Sequence, residues 1–296
     1  MWKWAREHAH VTLILVLVAV SAIVWSAVWR ESSKVLTVSF LNVGQGDAIF
    51  IETPSGAQML VDGGKNRAVL RELSRVSSWY DRTIDVAVAT HPDQDHIGGL
   101  VDVLERYRVN TVIESGVLDN GAGITAFEKA VAEENVRPVR GRASNGARRH
   151  IATRGDVIDF GDGVYFEILF PDRAVPGLET NTASVIGRLV YGNTSFMLTG
   201  DSPQTIEEYL VRIGTERLPA QVLKVGHHGS KTSSSPLFLG YVNPNFAVYS
   251  RGCDNSYGHP HADVVALFKQ FEIETFDTCT DGTITFVSDG QTVGLR

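Results

Sequence analysis

The sequence is short of cysteine, of net positive charge and of any marked compositional bias. Its two cysteines, Cys253 and Cys279, are too few in 296 residues for a disulfide-dense small domain or a cysteine-rich zinc module. Charged residues make up 21% and hydrophobic residues 43% of the chain, which excludes a disordered protein and allows a sizeable core. Basic residues number 27 against 34 acidic ones, so a generally basic nucleic-acid coat is excluded, although a local basic patch is not.

Charge is missing altogether from residues 11–29, an apolar run of roughly 28 Å as a helix. Tryptophans lie near both ends of it, as in an aromatic belt: Trp2, Trp4, Trp25 and Trp29. A cleaved signal peptide with its site at Val20-Ser21-Ala22 is the alternative, but the run continues well past that site. The pattern therefore predicts one transmembrane helix in an anchor over residues 1–35, followed by a domain over residues 36–296.

The charges around this run favour an amino terminus inside and a domain outside the cytoplasm. Lys3, Arg6 and the amino group precede the run, whereas Glu31 dilutes the charge of Arg30 and Lys34 after it. We therefore expect a single-pass, membrane-anchored protein with an extracytoplasmic domain. Without residues 1–35 the domain has 23 basic and 32 acidic residues, a net charge of −9.

From residue 35 onward, short apolar runs alternate with turns and with helical periodicity. The pattern predicts strands at 36–40, 48–51, 59–61, 86–89, 111–113, 164–170, 184–190, 194–199, 221–225 and 246–249, with a closing hairpin at 283–287 and 292–295. It predicts helices at 66–76, 99–107, 124–134, 203–213 and 262–270. Two sheets with helices outside them are the expected arrangement.

The strongest chemical signal is the segment from His91 to Gly99, which follows a buried strand. His91, Asp93, Asp95 and His96 fall within six residues, so they cannot be packed apart from one another. The two carboxylates would repel each other unless a cation compensated them. A divalent metal site is therefore the favoured interpretation over a solvated acidic turn.

Further polar clusters follow other predicted strands. They are Asp62-Gly63-Gly64, Thr199-Gly200-Asp201, His227-His228-Gly229-Ser230 and Tyr257-Gly258-His259-Pro260-His261. Each is weak alone, because an Asp-Gly pair is usually a turn and a lone histidine usually lies on the surface. Their joint occurrence at strand ends supports a shared site.

In this order the clusters resemble the metallo-β-lactamase superfamily, and more narrowly the soluble domain of ComEC-type DNA-uptake (competence) proteins. The segment from Phe40 to Asp47 also resembles that domain. The resemblance spans about residues 36–296. It implies an α/β fold, a four-layer αβ/βα sandwich with a metal site at one edge between the sheets.

The resemblance also implies roles for individual residues. His91 and Asp93 would hold one metal, Asp95 and His96 a second, and Asp201 would bridge them. His228 or His259 would complete the second site, and Asp62 would orient the ligand loop through hydrogen bonds. These last two histidines are alternatives that the sequence does not separate.

Two departures from the family pattern affect the metal. Asp93 stands where the superfamily usually has a histidine, and no histidine occurs between His96 and His150. We therefore expect one or two divalent ions, Zn²⁺ or Mn²⁺, with a shift towards Mn²⁺ or Mg²⁺ or weak occupancy at the first position.

The implied function is metal-dependent phosphodiester hydrolysis, a nuclease acting on DNA through a metal-bound hydroxide. Asp95 and His227 are the predicted catalytic residues. Lys224, Ser230 and Lys231 are predicted to contact a substrate phosphate. Six arginines between residues 137 and 154 could collect phosphates, or simply form a solvated loop: Arg137, Arg140, Arg142, Arg148, Arg149 and Arg154.

Alternatives remain at this stage. The superfamily also hydrolyses lactams and thioesters, and a depleted site could leave a non-catalytic DNA- or ligand-binding domain. A membrane channel protein is an expected partner beside DNA. Cys253 and Cys279 would pair in an oxidising compartment, or stay as buried free thiols.

Overall fold

The computed structural model describes residues 2–32, 35–78, 81–134 and 147–296, and the chain separates into two compact units, Met1–Val35 and Leu36–Arg296. In the first unit the apolar run lies in helix α1 (Trp2–Ser32). Within the described ranges, no helix combines the length and the apolar character needed to cross a membrane. The transmembrane anchor predicted over residues 11–29, and the single-pass location inferred from it, are therefore not supported.

The second unit combines runs of consecutive strands with segments in which strands and helices alternate. Its first half contains β1 (Leu36–Phe40), β2 (Ile49–Glu52), β3 (Gln58–Val61), α2 (Ala68–Val76), β4 (Thr83–Ala89), α3 (Gln94–Arg106), β5 (Arg108–Glu114), α4 (Ala122–Glu134) and β6 (Arg148–Ile151). Its second half contains β7 (Val157–Asp159), β8 (Val164–Phe170), β9 (Ile186–Tyr191), β10 (Thr194–Leu198), α5 (Gln204–Ile213), β11 (Val222–Lys224), α6 (Pro236–Val242), β12 (Phe246–Tyr249), α7 (Ala262–Gln270), β13 (Glu274–Asp277), α8 (Thr278–Asp281), β14 (Ile284–Ser288) and β15 (Val293–Leu295).

The strands form two sheets. The first has the order β15-β14-β1-β2-β3-β4-β5-β6, and the second has the order β13-β12-β11-β10-β9-β8-β7. β3 to β6 run parallel, and so do β10 to β13. The C-terminal hairpin joins the first sheet beside β1, with Leu36 opposite Ser288. The two ends of this unit are thus tied together by main-chain hydrogen bonds.

Apolar side chains fill three layers of core. Phe40, Phe166, Phe196 and Phe286 lie between the two sheets, almost completely buried. The other face of the first sheet packs on α2 to α4, and that of the second sheet on α5 to α7. Each buried phenylalanine stabilises this arrangement by about 1.5–3 kcal/mol. The predicted four-layer sandwich is confirmed.

Helix α3 begins at Gln94, five residues before the predicted start. Asp93 adopts an extended backbone (φ −66°, ψ 143°) as the N-cap, and Asp95 lies in the first turn. Acidic side chains are favoured here because the helix N-terminus carries unpaired N–H groups and a partial positive charge. Asp95 and His96 are consequently held on a helix instead of a loop.

The arginine-rich connection is only partly described. Arg137, Arg140 and Arg142 lie outside the described residues. Arg149 forms an ion pair with Glu114 across the β5–β6 pair, and the Arg154 guanidinium donates to the Ile213 carbonyl at 3.2 Å. These two arginines therefore have protein partners, which lowers the number available for phosphates.

Cys253 and Cys279 form a disulfide, with Cα atoms 5.0 Å apart. Of the two alternatives left open by the sequence, pairing is therefore the observed one. The bond ties the loop before His259 to helix α8.

Glu207 on α5 should make stability depend on pH. Burial raises its pKa from 4.5 to about 7, although it accepts hydrogen bonds from the N–H groups of Ser234 and Ser235. Because the pKa of Glu207 is higher in the folded than in the unfolded protein, its protonated side chain stabilises the fold fully below about pH 4.5. This contribution is lost as the pH rises through about 7.

We therefore expect the unfolding free energy of the wild type, relative to Glu207→Gln, to fall by up to about 3 kcal/mol between pH 4.5 and 8. Urea denaturation of both proteins across this range measures the difference. If the unfolding free energies of the two proteins changed with pH in parallel, the pKa of Glu207 would not be raised in the folded protein.

Candidate metal centre

The chemically active side chains lie where parallel strands end. In the first sheet Asp62 follows β3 and His91 follows β4, while in the second sheet Asp201 follows β10 and His228 follows β11. The carboxyl ends of parallel neighbours lie at the same edge of a sheet, which is where ligand sites form in α/β folds. Polar side chains that would be unfavourable in the apolar core therefore lie together at this edge.

Four of the side chains at this edge form a buried cluster. The ligand atoms of Asp47, His96, Asp201 and His228 all lie within 4.8 Å of one another, and each residue is at most 3% exposed. Asp201 is central, because its Oδ2 lies 3.2 Å from Nε2 of both His96 and His228. Two imidazoles thus point their outer nitrogens at one carboxylate oxygen.

Hydrogen bonds fix the orientation of both rings. His96 Nδ1 lies 2.7 Å from Asp62 Oδ2, and His228 Nδ1 lies 2.8 Å from the Ser250 carbonyl oxygen. Both acceptors require a proton on Nδ1, so each neutral ring carries its lone pair on Nε2. In the described structure these two buried Nε2 atoms have no hydrogen-bond partner.

His91 is oriented by the same carboxylate through Thr90. Asp62 accepts hydrogen bonds from the Thr90 N–H at 2.8 Å and from its hydroxyl at 2.7 Å. Because that hydroxyl proton goes to Asp62, the Thr90 oxygen accepts from His91 Nδ1, 3.0 Å away. The Nε2 of His91 is also buried and unpartnered within the described part of the chain. Asp62 therefore orients two imidazoles, one directly and one through a hydroxyl.

The donors around Asp201 have the spacing of a cation site. Asp95 Oδ2 lies 3.5 Å from His228 Nε2, next to the two 3.2 Å separations between Asp201 and the imidazoles. Ligand atoms held about 2.0–2.2 Å from a tetrahedral ion lie roughly 3.3–3.6 Å apart. Two nitrogen and two oxygen donors suit Zn²⁺ or Mn²⁺. The residues present thus fit a divalent metal ion.

A second and wider position lies beside His91. Its Nε2 is 3.8 Å from Asp93 Oδ2 and 4.0 Å from Asp201 Oδ2, and the Asp93 side chain is 40% exposed. It offers one nitrogen donor where the tighter position offers two, and its spacing is looser. We therefore expect a first cation at the His96–His228 position to bind more tightly than a second one here.

Asp47 lies on the opposite side of the rings. Its carboxylate oxygens are 3.3 Å from His228 Nδ1 and 3.9 Å from His96 Nδ1, away from both Nε2 atoms. Fully buried Lys224 forms an ion pair with Asp47 and lies 3.5 Å from Asp201 Oδ1. Asp47 thus pairs with Lys224 behind the imidazoles instead of sharing a cation with their Nε2 atoms.

The carboxylates of the cluster favour positive charge on the groups beside them. Burial favours the neutral imidazoles, but Asp201 and its neighbouring carboxylates outweigh it and raise the pKa of His96 and His228 well above the usual value. Burial also opposes ionisation of Asp201, yet the two histidines and Lys224 hold its pKa well below normal. A bound cation replaces the protons on these rings, so metal affinity increases with pH.

A left-handed backbone at two consecutive residues sets the directions of the His227 and His228 side chains. His227 (φ 49°) and His228 (φ 57°) both adopt positive φ in the turn Gly226–Gly229, a conformation uncommon outside glycine. It brings His227 Nε2 to 3.5 Å from Asp201 Oδ2 while its side chain stays 25% exposed. His227 is therefore the imidazole of this pair that a substrate can reach.

Comparison with known sequences identifies the family. Residues 41–252, which include Asp47, His91 to His96 and Asp201 to His228, match the sequence model of the Metallo-beta-lactamase superfamily. The chain belongs to this superfamily. The resemblance inferred from the motifs is confirmed.

Curated relatives match over most of the chain. The chain is 30% identical to ComE operon protein 3 of Bacillus subtilis (strain 168) over 271 residues, and 31% identical to Competence protein ComA of Neisseria gonorrhoeae over 249 residues. Each match covers 84% of this chain and 32% of the relative. The chain thus spans about a third of the length of the curated relatives it matches.

Solved structures share the metallo-β-lactamase fold. Igni18, a novel metallo hydrolase from Ignicoccus hospitalis, has a TM-score of 0.51 at 14% identity, covering 84% of this chain and 98% of that one. CmlA, a diiron beta-hydroxylase from Streptomyces venezuelae, has a TM-score of 0.50 at 14% identity, covering 85% and 54%. At such low identity these likenesses establish the fold alone.

The metallo-β-lactamase geometry distinguishes His228 from His259, the two alternatives that the sequence left open. His228 belongs to the buried cluster, whereas the His259 ring lies 6.4 Å from the His228 ring and 5.6 Å from that of His227. Burial and the neighbouring imidazoles lower the pKa of His259 to about 4. The geometry brings His228 into the buried cluster and places the His259 ring beside those of His227 and His228.

The three predicted phosphate contacts occupy different environments. The prediction for Lys224 is wrong, because its side chain is fully buried and its ammonium group is engaged by Asp47 and the Gly200 carbonyl. Ser230 is 4% exposed and accepts hydrogen bonds from Thr232. Lys231 is exposed at the surface.

Sequence reasoning missed two contributors to the metallo-β-lactamase site, Asp47 and Thr90. Asp47 follows Gly44 and Gly46 just before β2, the same combination of glycine and carboxylate at a strand end that identified Asp62 and Asp201. Thr90 directly precedes His91, but a threonine beside a ligand is not distinctive. Only its contact with Asp62 shows its part.

Removing the Asp62 carboxylate should weaken metal binding without removing a ligand. We expect Asp62→Asn to lower metal affinity about 10–100-fold, because the amide cannot accept the hydrogen bonds from Thr90 and His96 together. Thr90→Val, which cuts only the connection to His91, should have a smaller effect on the tighter position. Calorimetric titration with Zn²⁺ or Mn²⁺ measures both, and equal affinity for wild type and Asp62→Asn would contradict the assigned role.

Proposed function

We propose that this chain is a metal-dependent hydrolase that cleaves phosphodiesters, with DNA as its substrate. The observation that carries the proposal is the convergence of the unpartnered Nε2 atoms of His96 and His228 on Asp201 in a buried cluster. Buried imidazole nitrogens without partners are costly unless a ligand satisfies them, so a cation is the natural occupant.

The tighter position would be held by His96, His228, Asp201 and Asp95, and the wider one by His91, Asp93 and the shared Asp201. A divalent cation bound there lowers the pKa of water and stabilises the negative charge that develops on phosphate oxygens. Asp62 keeps His96 and, through Thr90, His91 aligned for this chemistry.

Two residues of the chain would act beside the cation. His227, partly exposed and 3.5 Å from Asp201 Oδ2, would donate a hydrogen bond to a phosphate oxygen or to the leaving group. Asp95 stays ionised, because His228 and His96 hold its pKa below normal although burial opposes ionisation. Its carboxylate, 26% exposed, would accept a proton from the attacking water.

The competence relatives support DNA as the substrate. Matches to two competence proteins at 30% and 31% identity make a phosphodiester more plausible than a lactam. The net charge of −9 on residues 36–296 repels DNA at a distance, so local contacts near the cluster would have to supply the binding. A membrane channel protein as partner is part of this proposal.

Metal binding and hydrolysis by the full chain test the function. Purified protein is stripped with a chelator, titrated with Mn²⁺ or Zn²⁺, and assayed on bis(p-nitrophenyl) phosphate and on DNA. We expect a tight first equivalent, a weaker second one, and hydrolysis of both substrates that disappears on chelation.

The matched variants are Asp95→Asn, which should lose hydrolysis, and Asp263→Asn, an exposed aspartate on α7 that should not. Hydrolysis of neither phosphodiester by the metal-loaded wild type would contradict the proposal. Activity of Asp95→Asn equal to that of the wild type would remove Asp95 from the mechanism.

A further inference from the structure

A polar groove of about 230 Å³ adjoins the buried cluster at Asp95. Its lining residues are Gln45, Lys65, Gln94, Asp95, Asp254, Asn255, Ser256 and Tyr257. Asp95 belongs to both the groove and the cluster, since its Oδ2 lies 3.5 Å from His228 Nε2. The groove and the cluster therefore share the Asp95 carboxylate.

Tyr257 is an aromatic ring held at the surface of the groove. It is 63% exposed, the most exposed of the described aromatic side chains in residues 36–296. Its ring lies nearly parallel to that of His259, with centroids 5.5 Å apart and planes 21° apart. His259 in turn contacts the rings of His227 and His228. A row of rings thus connects Tyr257 to the cluster.

The loop that presents Tyr257 is closed by one side chain. Asn255 donates to the carbonyl oxygens of Gly252 at 2.8 Å and His259 at 2.9 Å, and accepts from the His259 N–H at 2.9 Å. The disulfide at Cys253 ties the start of the loop to α8. An exposed ring on a loop fixed in this way is organised for binding before a ligand arrives.

We propose that Tyr257 is the stacking platform of a subsite for one unpaired nucleobase beside the metal centre. This proposal rests on the phosphodiesterase function and names the form of its substrate. The phosphate next to the base would lie at the cluster, the base would stack on Tyr257, and the Gln94 amide and Lys65 would contact the sugar-phosphate chain in the groove.

Stacking on an aromatic side chain explains recognition without base specificity, because every base offers a π-face. Inside a duplex both faces of each base are covered by neighbouring pairs. Only a single strand or an unpaired end can therefore present a base to Tyr257. The subsite predicts a preference for single-stranded nucleic acid over duplex.

Binding measured without metal tests the platform separately from catalysis. Fluorescence anisotropy with the full chain in chelator compares a short single-stranded oligodeoxynucleotide, the same strand with abasic sites, and its duplex. We expect Tyr257→Ala to bind the intact strand about tenfold more weakly, and Tyr257→Phe to bind within about twofold of the wild type. Tyr241→Ala, which removes a 44% exposed tyrosine from α6, is the matched control and should bind like the wild type.

The abasic strand should bind wild type and Tyr257→Ala alike, because it lacks the stacked group. Wild-type affinity of Tyr257→Ala for the intact strand would overturn the platform, and so would an equal loss on the abasic strand. Hydrolysis of bis(p-nitrophenyl) phosphate, which has no nucleobase, reports separately on the proposed function. Its absence would contradict the hydrolase, whereas Tyr257-independent binding would contradict the platform alone.

Discussion

Asp201→Asn is expected to lower both metal affinity and phosphodiester hydrolysis at least about 100-fold. Loss of a group that only orients a ligand costs 10–100-fold, so loss of a direct carboxylate ligand should cost more. Asp201 Oδ2 lies within 4.0 Å of Nε2 in His91, His96, His227 and His228, which no other carboxylate of the described cluster matches. Asparagine keeps the shape and removes the charge.

Metal content by elemental analysis and hydrolysis of bis(p-nitrophenyl) phosphate measure this effect. Asp263→Asn makes the same chemical change on the exposed surface of α7 and should leave both quantities unchanged. Full metal content in Asp201→Asn would show that the cation does not depend on the carboxylate at the centre of the cluster.

Lys224→Met is expected to lower the unfolding free energy of the metal-free protein by about 3–5 kcal/mol. The substitution preserves much of the side-chain volume but removes the buried ammonium group that forms an ion pair with Asp47. Although burial favours the neutral amine, Asp47 and Asp201 raise the pKa of Lys224, so the ion pair is charged in the folded protein. Denaturation by urea in the presence of chelator measures the loss without a contribution from bound metal.

Lys129→Met is the matched control, because Lys129 is 75% exposed and lies 3.7 Å from Glu133 on the surface of α4. This exposed pair should contribute at most about 0.5 kcal/mol. Adding Asp47→Asn to Lys224→Met should recover at least about 1 kcal/mol, since it removes the uncompensated charge. A loss from Lys224→Met no larger than that from Lys129→Met would show that the Lys224–Asp47 pair is not a buried ion pair in solution.

The ligand positions could be predicted because strand ends have a local signature. A histidine or an aspartate follows within three residues of the end of an apolar run at Asp62, His91, Asp201 and His227, and all four residues lie at the same edge of the sheets in the structure. Parallel strands bring such positions together wherever they lie in the chain. The family assignment rests on the same residues.

The role of Lys224 could not be predicted correctly, since it depends on how deeply the side chain is buried. In the sequence it lies three residues before His227 and resembles a phosphate contact. In the structure the last residue of β11 points into the space behind the imidazoles, where Asp47 arrives from the loop before β2. Lys224 and Asp47 are 177 positions apart. Lys224 ends a strand of the second sheet, and Asp47 lies in the loop before a strand of the first sheet.

The amino-acid sequence is enough to predict the superfamily, the succession of strands and helices, and the histidines and aspartates of the candidate metal cluster, because all three leave a local pattern of apolar runs with polar residues at strand ends. Only the folded structure shows which nitrogen of each histidine faces the cluster, and that His228 belongs to the cluster while His259 lies beside it. It also decided the pairing of Lys224 with Asp47 and of Cys253 with Cys279. These depend on contacts between segments far apart in the chain, whose distances and burial no local pattern encodes.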